Sequence, residues 1–399
     1  MHFLLLIDDY LPHSTRVAAK MFHELAIQLK SKGHRVTVVT PSNAKNSNEI
    51  HNIDGIKVLS FKSGNVKTKS KAVRAINETL LSFRAWQALS ATLQDLDVDG
   101  VVYYSPSIFW GALVSRLKRL YKCQSYLVLR DFFPQWAVDA GMIRESSLIE
   151  KYFRYFETKS YCAASCIGVM SESNLKIFNR RSNDQYNTEV LYNWADISKN
   201  DLAPTNFRSQ LGLGSKIIFF YGGNIGSAQD MPTLVRLARE LKSDERAHFL
   251  FVGQGDQVEL INELAKTWRL DNYTYLPSMS QEKFKSLLGE IDIGLFSLAA
   301  HHTTHNFPGK LLGYMANRIP ILGCVNQGND LKDVFEKHNA GLISWAGDEQ
   351  LLLDNAKKLI DDHQLRVRLA DSGLKLLKAK FSTESAANQI ISGLSRSNQ

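Results

Sequence analysis

The chain is 399 residues long, 44% hydrophobic and 22% charged, with 24 glycines, 9 prolines and a formal net charge of +8. That composition excludes a disordered chain, a collagen-like repeat and a coiled coil, and at roughly 100–200 residues per domain it fits two domains or three. No run approaches the ~20 apolar residues of a membrane span, and the four cysteines (Cys123, Cys162, Cys166, Cys324) form no CxxC pair, which predicts free thiols rather than a disulfide framework.

The opening run Met1–Ile7 is too short for a secretory signal, has no basic start and leads straight into Asp8 and Asp9. It reads as the first strand, over 3–8, of a cytoplasmic protein. Val17, Met21, Leu25 and Leu29 stand at helical spacing and predict a helix over 15–32, stopped by Gly33. Strands follow at 34–40, ended by Pro41, and at 55–61. A basic loop then leads into a helix over 70–93, a strand at 100–105, a helix at 108–121, a strand at 125–131, a helix at 147–162 and strands at 166–171 and 188–193. Continuous apolar strands alternating with helices predict an α/β fold whose parallel sheet is covered on both faces.

The polar, proline-containing stretch 195–214 reads as a linker, after which the pattern restarts. Strands are expected at 216–223, 247–253, 273–277, 292–298, 319–325 and 341–345, with helices at 231–242, 256–268, 309–317 and 348–380. The resulting division is 1–196, a linker 197–214, 215–380, and a last segment 381–399 whose helix at 383–394 could pack back on the first domain. Two such α/β units leave a cleft, and open α/β sheets bind ligands outside the carboxyl ends of their strands.

The charge excess lies wholly in the first half: residues 1–200 hold 26 Lys and Arg against 18 Asp and Glu, while residues 201–399 hold 22 of each. Between Lys57 and Asn77 stand six basic residues, among them Lys67, Lys69, Lys71 and Arg74, and no acidic one. Solvated helix faces would explain this. So would attraction to an anionic membrane surface, where each Lys or Arg gives about 1 kcal/mol. Nucleic acid is disfavoured as a partner, because no nucleic-acid motif accompanies the charge.

The second half carries the anion signals. Gly223 and Asn224 follow a strand in YGGNIG (221–226), and Gly253 lies in VGQG (252–255). In NFPGK, Asn306, Pro308, Gly309 and Lys310 stand at the start of a helix, where free N–H groups and the helix dipole favour an anion. Asn329 and Asp330 form a third loop after a strand, and Pro277 closes another strand. His301, His302 and His305 suggest polar contacts to a sugar or phosphate more than a zinc site, since no acidic ligand stands beside them. In the first half, Asp131 follows a strand immediately, with Arg130 beside it. The two could form a local ion pair, or Asp131 could accept a hydrogen bond or a proton from an acceptor hydroxyl. His13, in the first loop, could donate to a phosphate.

These residues resemble a known family. The segments 33–42, 129–136, 169–173, 192–196, 221–231, 252–255, 306–323 and 337–343 are similar, in order, to retaining glycosyltransferases of the GT-B fold, family four. HNFPGKLLGYM (305–315) and KHNAGLI (337–343) are similar, more narrowly, to bacterial O-antigen and capsule transferases for N-acetyl-L-fucosamine. The resemblance implies two Rossmann-like domains, a UDP-activated amino sugar as donor, an undecaprenyl-diphosphate-linked acceptor, and peripheral association with the inner face of the plasma membrane. It also implies no cofactor and no metal, with Lys310 and the helix terminus holding the leaving diphosphate. Asp131, Lys310 and His13 are then the expected catalytic set. Two departures stand out. Where the family carries a glutamate pair, this chain has His305 and Gly313. The second glutamate typically holds the ribose, and a hydrogen bond to a charged group is worth about 1.5–3 kcal/mol. The usual arginine and lysine of the nucleotide domain are replaced by residues such as Asn224 and Gln229, which leaves more of the diphosphate charge to Lys310. The rival readings are a sugar-nucleotide epimerase on the same fold and a non-catalytic sugar-nucleotide-binding protein.

Overall fold

Apolar runs such as Phe3–Ile7 can be strands only if both faces are covered. In the computed structural model, Leu4 and Leu6 pack into one core while Phe3, Leu5 and Ile7 pack into the core on the opposite face. The structure describes residues 1–12, 14, 16–42, 49–64, 71–105, 107–139, 141–195, 206–300 and 308–396, without the side chains of 71–74 and 281. The chain forms two compact units, Met1–Asp196 with Thr383–Gln399, and Ile197–Ser382.

The first unit is built on β1 (His2–Leu6), β2 (Arg35–Ser42), β3 (Glu49–Ile53), β4 (Ile56–Lys62), β5 (Gly100–Tyr104), β6 (Gln124–Leu129), β7 (Cys166–Val169) and β8 (Thr188–Val190). They lie in the order β3-β4-β2-β1-β5-β6-β7-β8, parallel throughout except for β3 against β4. Helices Leu81–Gln94, Gly111–Tyr121 and Leu148–Ala163 cover one face. Helices Val17–Ser31 and Thr383–Arg396 cover the other. The last helix is seated closely: a side chain at Gly100 would meet Leu394, and one at Gly393 would meet Tyr126.

The second unit holds β9 (Ile217–Asn224), β10 (Ala247–Gln254), β11 (Tyr273–Pro277), β12 (Ile293–Ser297), β13 (Ile321–Val325) and β14 (Gly341–Trp345). Their order is β11-β10-β9-β12-β13-β14, and every described pairing is parallel. In both units the chain leaves a central strand in one direction and later returns to its other side. These switch points fall between β1 and β5 and between β9 and β12, and ligands of open α/β sheets bind at such places.

Five features differ from the expected elements. The helix expected over 70–93 is two, Lys71–Thr79 and Leu81–Gln94. β2 runs through Pro41, paired with Phe61, because the missing N–H is tolerated at a strand end. β3 is an additional edge strand joined to β4 by a two-residue turn, Asp54-Gly55, whose residues both have positive φ (51° and 77°). From Asn206 onward the expected linker belongs to the second unit. Arg208 pairs with Asp292 at 2.7 Å, and its backbone N–H donates to Glu290 at 2.7 Å. Helices Glu172–Ser182, Gln281–Leu288 and Asp330–His338 fill stretches left unassigned, each started by a capping Ser171, Ser280 or Asn329. All four cysteines are free thiols.

Candidate functional site

β9 carries Gly222, Gly223 and Asn224 at its carboxyl end. Gly223 has φ 127°, which favours glycine. Its neighbour across the pairing is Gly253 of β10, where a Cβ would lie 1.8 Å from the Gly223 carbonyl oxygen. Gly223 is therefore held to glycine by its backbone conformation and Gly253 by backbone approach, whatever binds there. The Tyr221 hydroxyl donates to the Asn224 carbonyl at 2.6 Å, and the Asn224 amide donates to Gln229 Oε1 at 2.8 Å, so this turn is pinned from both ends.

Across the switch point, the helix Gly309–Ala316 begins at Pro308 with no side-chain cap. Tyr314 locks it to the sheet: its hydroxyl accepts from Gly222 N–H at 3.2 Å and lies 3.3 Å from the Phe220 and Leu295 carbonyls. Gly309 is exposed, and the space beside it is open. Lys310 is half-buried. Its ammonium lies 3.5 Å from the centroid of the Tyr221 ring, and its Nζ and Cε lie 3.7 Å from where a Cβ on Gly223 would be. It has no hydrogen-bond or ion-pair partner among the described residues. Burial alone pushes its pKa down to about 7. An uncapped helix N-terminus, a loop of glycine amides and an unpaired ammonium thus meet on one sheet edge, which is chemistry suited to an anion.

Other expected residues stand differently. Asn329 is buried and serves as a helix cap, not a free ligand group. Its Oδ1 accepts from Leu331 N–H at 3.0 Å and its amide donates to Asn326 at 3.0 Å. Asp330 opens the helix that Asn329 caps. Pro277 is exposed at the end of β11, paired in register with Gly253. In the first unit the possible Arg130–Asp131 ion pair does not form. Arg130 turns inward to the carbonyls of Leu191 (2.5 Å) and Tyr192 (3.2 Å), over the Trp194 ring, and burial lowers its pKa to about 10. Asp131 is exposed, yet enough protein crowds it to raise its pKa, with Arg130 opposing. His13, Asn306, Lys67, Lys69, His301, His302 and His305 lie outside the described residues. Lys71 and Arg74 lie on the helix Lys71–Thr79.

The sequence points to the strand ends 8–14 and 103–107 but gives no role to Asp8 or Tyr104 within them. The available signal for Asp8 was a carboxylate directly after a buried apolar strand. Among the described residues no group of three or more His, Cys, Asp or Glu side chains is placed to hold a metal ion, and no helix is long and apolar enough to cross a membrane.

Comparison with solved structures identifies the fold. Sucrose-phosphate synthase from Thermosynechococcus elongatus superposes with a TM-score of 0.70 at 15% identity, covering 99% of this chain and 98% of that one. Anabaena HepE, solved in complex with UDP and glucose, gives 0.66 at 15% identity, covering 99% and 100%. The chain has the GT-B fold. Residues 204–376, most of the second unit, match the family described as "Glycosyl transferases group 1". A curated relative, "Probable glycosyltransferase WbjE" of Pseudomonas aeruginosa, is 24% identical over 224 residues, 54% of each chain. The chain thus spans about half the length of that relative.

Proposed function

We propose that the protein is a retaining glycosyltransferase that moves an amino sugar, N-acetyl-L-fucosamine, from a UDP-sugar to an undecaprenyl-diphosphate-linked saccharide in O-antigen or capsule synthesis. The observation that carries the transferase reading is Lys310: an unpaired ammonium at an uncapped helix start, beside the Gly223 turn, on the β9–β12 switch point. Charge builds on the donor diphosphate as the glycosidic bond to it breaks. Donors already aimed at that position stabilise the change without reorganising. The group 1 family match supports this reading, as does HepE, whose structure holds UDP.

The finer reading, the sugar and the lipid-linked acceptor, rests on the resemblance of 305–315 and 337–343. The expectation of a membrane-borne acceptor draws support from the helix Leu148–Ala163. Leu148 (84% exposed), Ile149 (61%) and Tyr155 (58%) stand in water beside exposed Lys151 and Lys159. Apolar and aromatic tips among lysines suit an anionic bilayer surface.

The test is a panel of UDP-sugars offered with a short lipid-diphosphate N-acetylglucosamine acceptor and read by mass spectrometry. Transfer from a UDP-N-acetylfucosamine donor, lost in Lys310→Ala, is the expected result. Conversion of a UDP-sugar with no acceptor present would instead indicate an epimerase, and UDP binding without turnover of any donor would indicate a binding protein.

A further inference from the structure

Large apolar side chains that stay in water gather on one rim of the first unit. Helices Leu81–Gln94 and Leu148–Ala163 each lead from one parallel strand to the next, so both begin on the side of the strands' carboxyl ends. Each exposes apolar residues at that start. On the first helix the exposed stripe runs Phe83, Gln87, Ala91, Gln94; Phe83 is 64% exposed, and the rest is polar or small. On the second it runs Leu148, Tyr152, Tyr155, Lys159, from aliphatic through aromatic to charged. Met142 (66% exposed) and Trp136 stand out from the segment between β6 and the second helix. Contacts join these pieces into one surface. The Thr79 and Tyr152 hydroxyls share a hydrogen bond. Phe133 meets the rings of Trp136 (5.9 Å between centroids) and Phe153 (4.8 Å), and Phe153 meets Tyr152 (5.3 Å). Among the described residues the second unit exposes large apolar side chains only at Leu260 and Val367, so the rim is not a general property of the surface.

Whatever covers this rim must also answer its charge. The stretches 57–94 and 135–163 hold eleven Lys and Arg (seven and four) against five Asp and Glu (one and four). Within the second helix, Arg154 takes up both Glu150 (3.2 Å) and Glu157 (2.9 Å). Lys151 and Lys159 are exposed and have no carboxylate partner among the described residues. A second copy of the chain seated here would set like charge against like. An anionic bilayer would supply the countercharge. It also accepts protruding aliphatic tips that a flat protein surface would not enclose, and its layers follow the same order as the helix: acyl chains, interface, phosphates.

We propose that this rim is an insertion edge for an anionic bilayer. Leu148, Ile149, Met142 and Phe83 enter the acyl boundary, Tyr152 and Tyr155 lie at the headgroup level, and Lys151 and Lys159 meet lipid phosphates. Attachment is therefore by apolar insertion, which charge assists, and not by the basic block alone. The inference deepens the proposed function and rests on it only for its purpose: inserted this way, the first unit turns the carboxyl ends of its strands toward the leaflet that would carry a lipid-linked acceptor.

The test is vesicle co-sedimentation of the full chain, with phosphatidylcholine vesicles made with and without phosphatidylglycerol, and with UDP binding measured in parallel. The wild-type protein should bind the phosphatidylglycerol vesicles. The double variant Leu148→Ser, Ile149→Ser should lower that partition about tenfold or more, and Phe83→Ser, on the other helix, should lower it in the same direction. Val367→Ser, an equivalent change in the second unit, should leave it unchanged. Lys151→Gln with Lys159→Gln should weaken binding about tenfold, and only where phosphatidylglycerol is present. Absence of vesicle binding, or binding unchanged in both the double serine variant and Phe83→Ser, overturns the inference. So does self-association without vesicles that the double serine variant abolishes, since a second copy would then cover the rim. If vesicle binding fails while UDP still binds, only this edge falls. If vesicles bind and UDP does not, the edge stands and the proposed function falls.

Discussion

Lys310 should act as the proton-linked gate for donor binding. Free in the site, its pKa is about 7, against an ordinary 10.5, because burial strips water from the ammonium and no carboxylate replaces it. A diphosphate arriving beside it supplies the missing countercharge and returns the pKa upward. The donor therefore selects the protonated form, and the apparent dissociation constant is the intrinsic one divided by the protonated fraction. From pH 6 to pH 8.5 that fraction falls by about 30-fold, so affinity for a UDP-sugar should weaken by about 30-fold across that range. Near pH 7, binding should take up about half a proton. A UDP-sugar is the right probe, because its diphosphate, substituted at both ends, does not itself titrate there. Calorimetry at pH 7 in two buffers of different ionisation enthalpy reads the proton directly. Lys310→Arg, charged at every accessible pH, should bind without the pH slope. Buffer-independent enthalpy and flat affinity in the wild-type protein would refute the reasoning.

Other outcomes follow from the same structure. Between pH 10.5 and about 7 the unfolded chain carries a proton on Lys310 that the folded chain lacks, so this group lowers stability as the pH falls through that window and costs no more below it. Lys310→Met should accordingly raise stability at pH 7 by about 1 kcal/mol or more while abolishing donor binding, as seen by thermal unfolding with and without UDP. Gly313 lies inside a helix, and a Cβ there would touch only Leu288, at 3.9 Å. Gly313→Ala should stabilise by about 0.5–1 kcal/mol in urea titration. Gly253→Ala should do the opposite. Its Cβ would be driven to 1.8 Å from the Gly223 carbonyl, so a loss of about 2 kcal/mol or more and a weakened UDP affinity are expected together. Arg130→Met would leave the Leu191 and Tyr192 carbonyls without their donor. Chemical denaturation should show a loss of about 1–3 kcal/mol.

Most strands were legible because burial on both faces writes them as unbroken apolar runs, as in Ile217–Tyr221 and Phe249–Val252. β3 was not, because an edge strand needs only one covered face and EIHNI carries no apolar run. The Asp54-Gly55 pair was the overlooked clue. The break at Leu80 was hidden because apolar spacing continues across it, and the backbone hydrogen bonds from Leu80 to Ile76 and from Arg84 to Leu80 keep helical register. At the anion site, Gly223, Gly309 and Lys310 could be read from glycine turns and a helix start. That Lys310 lies over Tyr221 could not, since the contact joins residues 221 and 310 through the fold. Asn329 has a role that its sequence setting did not single out: the residue type that suits a ligand also suits a helix cap, and its Oδ1 accepts from Leu331 N–H.

The most direct measurement is a crystal structure with UDP bound. The account predicts the diphosphate oxygens within hydrogen-bond distance of Lys310 Nζ and of the amides of Gly309 or Gly223, on the β9–β12 edge of the second sheet. A UDP molecule seated elsewhere, with Lys310 still resting on the Tyr221 ring and bonded to nothing, would contradict it.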